Sequence, residues 1–296
     1  MYHFLPLPKH LNVQSFDRFL QEFRLVDGVT NVLSLRDLEF VDPYGLIGLF
    51  TLLRHCRRIA HRVGLYLPRS GHVLSYLRRS NLVDLAEDIA EILPQHKRGT
   101  VDERQEEWLL QMTPVVQEDD VSEVVAEVMD RVQAMLSKSL AQSSRILVKF
   151  CGALSELCQN IPQHSQDWGV VVVQAYRRAD GERFVRLALG DLGIGLRGSL
   201  AERYPVDQWS ESDVIRAAFT AGISRMADEG RGLGLAQVKA TVQEMGGTLH
   251  IRSGVARVFI RDADEFHFAV PFFPGTQIAF ELPERRDTRG STSGVR

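Results

Sequence analysis

Glu156 and Asn160 stand four residues apart in the stretch ELCQNIPQH, with His164 four further on, in a segment otherwise marked by Leu154, Leu157 and Ile161. On an α-helix, residues four apart fall about 40° apart around the axis, so the three polar groups form one narrow stripe. A carboxylate there can orient or deprotonate an attacking water or hydroxyl, and an amide oxygen beside it can ligate Mg²⁺. The competing reading is the polar face of a surface helix. Pro162 has no N–H to offer the carbonyl of Cys158 and should kink or end the helix, which takes His164 out of the stripe.

Three further stretches have types suited to the same chemistry. GDLGIGL, with Asp191, Gly193 and Gly195, ends a strand-like run. Its acceptor-only carboxylate can take a hydrogen bond from an exocyclic amine, and its glycines can admit a flat base at close range. DEGRGLGLA, with Gly230, Arg231, Gly232, Leu233 and Gly234, runs straight into a helix-like segment. Backbone N–H groups at such a helix start can hold an anion. No Gly-Lys-Ser/Thr follows, which excludes a Walker loop, and the spacing is not the GxGxxG of a dinucleotide site. PGTQIAFELP places Gly275 and Thr276 where a loop enters a strand. Each of these alone is an ordinary turn signal.

Taken in this order, the four stretches resemble the N, G1, G2 and GT boxes of the GHKL superfamily of ATP-binding domains, over residues 105–283. The resemblance implies a Bergerat fold, a two-layer α/β sandwich with a mixed sheet, binding ATP and Mg²⁺ between its helices and a mobile lid. It implies Asn160 as the Mg²⁺ ligand, Glu156 as general base, Asp191 as the adenine reader, Gly193 and Gly195 beside it, and Thr276 at the last box. The loop Gly230–Gly234 would wrap the phosphates, and the lid would span 222–232 with Arg225 and Arg231.

The elements that must position these groups follow from periodicity. Residues 120–140 and 144–161 carry helical patterns, and WGVVVVQAYRR and RFVRLALGD flank the Asp-Gly turn signal of ADGE as an antiparallel pair. A helix over 233–245 ends at Gly246 and Gly247, and TLHIRS, ARVFIR and GTQIAFELP read as three closing strands, the last alternating Ile278, Phe280 and Leu282 to one side. Upstream, 31–41 reads as a strand, 45–64 as a helix with Leu46, Leu49, Phe50, Leu53, Ala60 and Val63 on one face, 65–68 as a strand and 72–86 as a helix. That βαβα order suggests a small α/β unit. Arg54, Arg57, Arg58, Arg62 and Arg78 read as a solvated face or a partner patch.

This N-terminal unit resembles a STAS domain, the fold of anti-anti-sigma factors, through Asp42, Pro43, Tyr44, Gly45 and Leu46 at the turn into the helix. The family's phosphorylated serine would fall at Pro43, which has no hydroxyl; packing is the expected role of Tyr44. The expected fold class is therefore α/β (α+β): a STAS-like domain over 1–98, a GHKL domain over 105–283 and a disordered tail over 284–296.

Composition narrows the function. With 35 Lys and Arg against 38 Asp and Glu, net charge −3, there is no basic excess for nucleic acid or anionic membrane. Cys56, Cys151 and Cys158 lack CxxC spacing and read as core residues of a protein in a reducing compartment. The N-terminus lacks a signal-peptide pattern and no apolar run is long enough to span a bilayer, so a cytoplasmic protein is expected. None of His55, His61 and His96 has the acidic context of a phosphoacceptor, so a classical histidine autokinase is not expected, and the 13 residues after 283 are too few for the following domain that completes topoisomerase-type sites. The two resemblances together imply a regulatory ATP-binding protein, an ATPase or serine/threonine kinase acting by partner switching. A non-catalytic ATP sensor or scaffold is the alternative. Its expected partners are ATP and a regulatory protein, with a homodimer left open.

Overall fold

The computed structural model describes residues 1–60, 62–94, 108–136, 143–177, 183–220 and 234–283. The chain begins with β1 (Tyr2–Pro6), β2 (His10–Leu11), α1 (Val13–Glu22), β3 (Thr30–Ser34), β4 (Phe40–Val41), α2 (Pro43–Ala60), β5 (Val63–Tyr66), α3 (Gly71–Arg79), α4 (Leu82–Glu87) and β6 (Glu91–Leu93). Strands β1, β3, β5 and β6 lie side by side in that order, all parallel, and β2 and β4 form a short parallel pair. Parallel neighbours need crossovers, which the intervening helices supply. The strand expected over 31–41 is in fact β3 and β4 with a turn between, and the helix expected over 72–86 breaks at Asn81, which sits at φ 66°.

The second part runs β7 (Trp108–Val115), α5 (Glu118–Leu136), α6 (Ser143–Asn160), β8 (Gly169–Arg177), β9 (Arg183–Asp191), α7 (Gly195–Ala201), α8 (Glu211–Ala218), α9 (Gly234–Glu244), β10 (Thr248–Arg261) and β11 (Asp264–Pro283). Its five strands are ordered β10-β11-β9-β8-β7, and every described pairing is antiparallel, not mixed as expected. The reason is connectivity. The α5–α6 hairpin returns β8 against β7, while the one connection that restores direction, β9 to β10, skips a position that β11 fills. The three expected closing strands are two. TLHIRS and ARVFIR are one strand that passes through a register shift at Gly254 (φ 59°), and β11 reaches back to Asp264. The helix ending at Gly246 and Gly247 is present, with Gly246 at φ 67° and both N–H groups bonded to α9 carbonyls. The ADGE turn, residues 95–107, which include the boundary between the two expected units, and the tail from 284 lie outside the described residues.

The sheet is covered on both faces. Leu187 and Leu189 of β9 and Ile278, Phe280 and Leu282 of β11 join the core that holds α5, α6 and α9, as the alternation of the last strand predicts. Val170, Val172 and Ala188 point the other way, into the core that holds α2. Helix α2 is therefore buried almost all round from Tyr44 to Leu53, not on one face, because it is sandwiched between the two sheets. Ile47, Phe50 and Arg54, three and four residues apart, meet the five-stranded sheet: Ile47 at Gly190, and Phe50 and Arg54 at Trp168.

Gly190 permits this approach. A methyl group there would lie 2.6 Å from Ile47 Cγ2, and the overpacking should cost about 2 kcal/mol. Gly190→Ala is thus expected to lower the urea midpoint; an unchanged midpoint would mean that α2 does not rest on β9.

At the start of α2, Asp42 Oδ1 accepts the Gly45 N–H at 2.8 Å and Pro43 occupies the first turn, where its missing N–H costs nothing. Tyr44 is 3% exposed and packs on Phe16, in keeping with a packing role. Asp17 of α1 binds two buried guanidiniums of β10, Arg252 Nε at 3.1 Å and Arg257 Nε at 2.8 Å, which fixes the hairpin against the N-terminal unit. The three cysteines are buried and free. Among the described residues, no helix is long and apolar enough to cross a membrane.

Candidate functional site

Helix α6 buries Leu154, Leu157 and Cys158, which leaves Glu156 and Asn160 beside that seam at its C-terminal end. At Pro162 the ladder loses a donor, and the chain passes into a single π-helical turn over Ile161–Ser165 that stops at Gln166, φ 60°. His164 lies inside this turn and so leaves the α-helical register, as Pro162 implied. The Asn160 amide nitrogen is buried without a hydrogen-bond partner. Such a donor carries a desolvation cost, and its N–H groups are open to an acceptor atom of a ligand.

Glu156 points at the start of α9. A methyl group built on Gly234 would lie 2.9 Å from Glu156 Oε2, so the helix N-terminus and the carboxylate face one another directly. The rest of the predicted phosphate loop, Gly230, Arg231, Gly232 and Leu233, lies outside the described residues, as does the lid with Arg225.

Asp191 ends β9 in register with Leu187 and Leu189, on the face covered by α6 and α9. Its carboxylate accepts the Gly193 N–H at 2.8 Å and the Thr276 N–H, and it is 5% exposed. Burial pushes its pKa up to about 6, and the nearby Asp167 charge adds to this; the two N–H donors and Arg54 pull the other way. Two donors leave part of the carboxylate's acceptor capacity for a ligand.

The glycines serve this cradle in ways the sequence did not suggest. A methyl at Gly193 would lie 1.9 Å from the Ser165 carbonyl oxygen, so the close approach of the π turn itself requires glycine there. Gly195 sits at φ 68° next to Ser253, whose hydroxyl accepts the Leu196 N–H at 2.9 Å. Gly275, at φ 74°, lets β11 close on the Asp191 backbone, where a methyl would lie 2.2 Å from the Asp191 carbonyl. Thr276 shares the face of Ile278 and Phe280 by strand alternation.

The structure thus makes two clusters, Glu156 with Gly234 and Asp191 with Gly193, Gly275 and Thr276. The π turn joins them, because the Ser165 carbonyl accepts the Ile194 N–H at 2.9 Å. Sequence reasoning missed Ser165 and Asp167, which hold that turn: the Asp167 N–H donates to Ser165 Oγ at 2.9 Å. Arg54, read as part of a solvated face, has a side chain only 4% exposed and pairs with Asp167 at 3.0 Å.

Residues 148–286 match the family model for histidine kinase-, DNA gyrase B- and HSP90-like ATPases. This segment is a GHKL ATPase-family domain. β7 and α5 precede the matched residues yet complete its sheet and helical layer. A solved structure of the mycobacterial sensor histidine kinase MprB is similar at 23% identity and a TM-score of 0.29, covering 58% of this chain and 99% of its own. No curated protein matches the chain.

GHKL ATPase domains bind ATP, usually with Mg²⁺. The described residues contain no cluster of three or more His, Cys, Asp or Glu able to hold a metal alone. Mg²⁺ does not require one, since it is commonly held by one or two protein oxygens together with substrate phosphates. Glu156 and the Asn160 amide oxygen supply donors of that kind, whereas the unpartnered Asn160 amide nitrogen is a hydrogen-bond donor that suits a phosphate oxygen and not the cation. A cavity of about 750 Å³ lies on the opposite face of the sheet. Two of its three arginines are already paired within the protein, Arg186 with Glu281 at 2.8 Å and Arg257 with Asp17 at 2.8 Å, so it is the weaker candidate.

Proposed function

We propose that the GHKL domain binds ATP·Mg²⁺ between α6, α9 and the end of β9, and that the chain is a nucleotide-dependent regulatory protein. The observation that carries this reading is the buried, unpartnered Asn160 amide one helical turn from Glu156, whose carboxylate faces the start of α9. The Asn160 amide nitrogen donates to a phosphate oxygen while its amide oxygen turns to the cation, Asp191 accepts from the adenine amine, and Thr276 holds Asp191 through its backbone N–H. The phosphates lie toward Gly230–Gly234. Glu156 is the general base for hydrolysis or for transfer to a protein hydroxyl, chemistry that depends mainly on positioning and charge neutralisation.

The N-terminal unit, read as STAS-like over 1–98, acts in this proposal as the regulatory half. A second reading, a sensor that binds ATP without turning it over, is favoured by one feature. Pro43 stands where a partner-switching phosphoacceptor would be, at the first turn of a helix sandwiched between the sheets.

ATP labelled at the γ-phosphate separates the readings. The expected result is micromolar binding that requires Mg²⁺, and slow phosphate release that Glu156→Gln abolishes while binding persists. An intact γ-phosphate with binding retained would leave only the sensor, and no binding at all would overturn both.

A further inference from the structure

Below Arg54 on the same stripe of α2 comes Arg58, and both reach across to the loops behind the candidate base site. Arg54 donates to both Asp167 oxygens, at 3.1 and 3.0 Å, and to the Trp168 carbonyl at 2.9 Å, with its guanidinium 3.5 Å from the Trp168 ring centroid. Arg58 donates to Asp167 Oδ1 at 2.8 Å and to the Leu192 carbonyl at 3.2 Å. Leu192 is the residue after Asp191. Asp167 is bonded to Ser165, and Ser165 to Ile194. Both sides of the Asp191 loop are therefore held by two arginines of the N-terminal unit, through one shared carboxylate.

A solvated basic face would not bury Arg54, and a purely stabilising contact would not need to. Apolar residues of similar volume often stabilise as well as a buried ion pair does, whereas charge-assisted fork contacts fix geometry. The geometry fixed here is that of the loop carrying Asp191.

We propose that Arg54 and Arg58 are positioning residues for base recognition, so that docking of α2 on the sheet sets the affinity and selectivity of the nucleotide site. This rests on the ATP reading above. By linkage, whatever loosens α2 weakens adenine binding, and adenine binding tightens α2 by the same factor.

The test compares ATP·Mg²⁺ with ITP·Mg²⁺, which carries a carbonyl in place of the amine that Asp191 would read. It uses the full chain and Arg58→Ala, which removes a side chain that is 48% exposed and leaves the buried core intact. The wild type should prefer ATP. Arg58→Ala should lose about tenfold of that preference, through weaker ATP binding with ITP affinity unchanged, because a misplaced charged acceptor forfeits a hydrogen bond of that order. Asp167→Asn should act in the same direction. If Arg58→Ala keeps the wild-type ratio, or if both nucleotides weaken in parallel, the coupling is overturned while the ATP reading stands. A wild type that binds neither nucleotide overturns the ATP reading itself.

Discussion

Asp191→Asn is expected to stabilise the nucleotide-free protein by about 3 kcal/mol at pH 8 and by about half that at pH 5. The carboxyl of Asp191 is held at a pKa of about 6, above the ordinary aspartate value, chiefly by burial. Between the unfolded and folded pKa values the native state holds the extra proton. Rising pH therefore removes stability from about pH 4 up to about pH 6, beyond which the full cost of a buried charge remains. Asparagine removes that charge and keeps the acceptor oxygen for Gly193. The same variant should lose the preference for ATP over ITP, because its remaining acceptor is weaker than a carboxylate. In the wild type, ATP affinity should fall as pH drops through 6, when protonation takes away the acceptor. Arg54 and Asp167 are the charged groups facing Asp191, with Arg58 at the next carbonyl. Urea unfolding and calorimetric titration from pH 5 to 8 provide the check. A difference between variant and wild type that does not change with pH would refute the assignment.

What was legible in the sequence was local. The Glu156–Asn160 spacing, the helix break at Pro162 and the position of Asp191 at a strand end all follow from a few neighbouring residues. Contacts at long sequence separation were not. Arg54 and Asp167 are 113 residues apart, and nothing near Arg54 distinguishes it from the exposed Arg57 on the same helix. The second covered face does leave a mark in the sequence: Val170 to Val173 is an unbroken apolar run, where a strand open to water on one face would alternate. Helix α1 was also readable, since Asn12 and Ser15 form a reciprocal capping box and Phe16 and Leu20 follow at helical spacing. The single strand β10 reads in sequence as two runs because Gly254 interrupts the strand pattern, whereas its positive φ serves a register shift within one strand.

Asn160→Ala should weaken ATP·Mg²⁺ binding by about 100-fold or more, roughly 2.7 kcal/mol, while leaving the nucleotide-free protein as stable as before or slightly more so. The two halves of that expectation have one cause. An amide nitrogen that is buried without a partner contributes nothing favourable to the fold, and deleting it removes a desolvation cost on the order of 1–3 kcal/mol. Truncating the neighbouring Leu157, fully buried in the core under α6, shows the contrast: it should cost about 2–5 kcal/mol of stability. A residue kept for folding loses stability when cut back, and a residue kept for a ligand loses the ligand. Ligand-induced stabilisation measures both at once, because a free nucleotide concentration 100 times the dissociation constant adds about 2.7 kcal/mol to the wild type, and that increment should nearly vanish in Asn160→Ala. Wild-type affinity in the variant would remove Asn160 from the site. A variant that lost several kcal/mol before any nucleotide was added would show that its amide serves the fold.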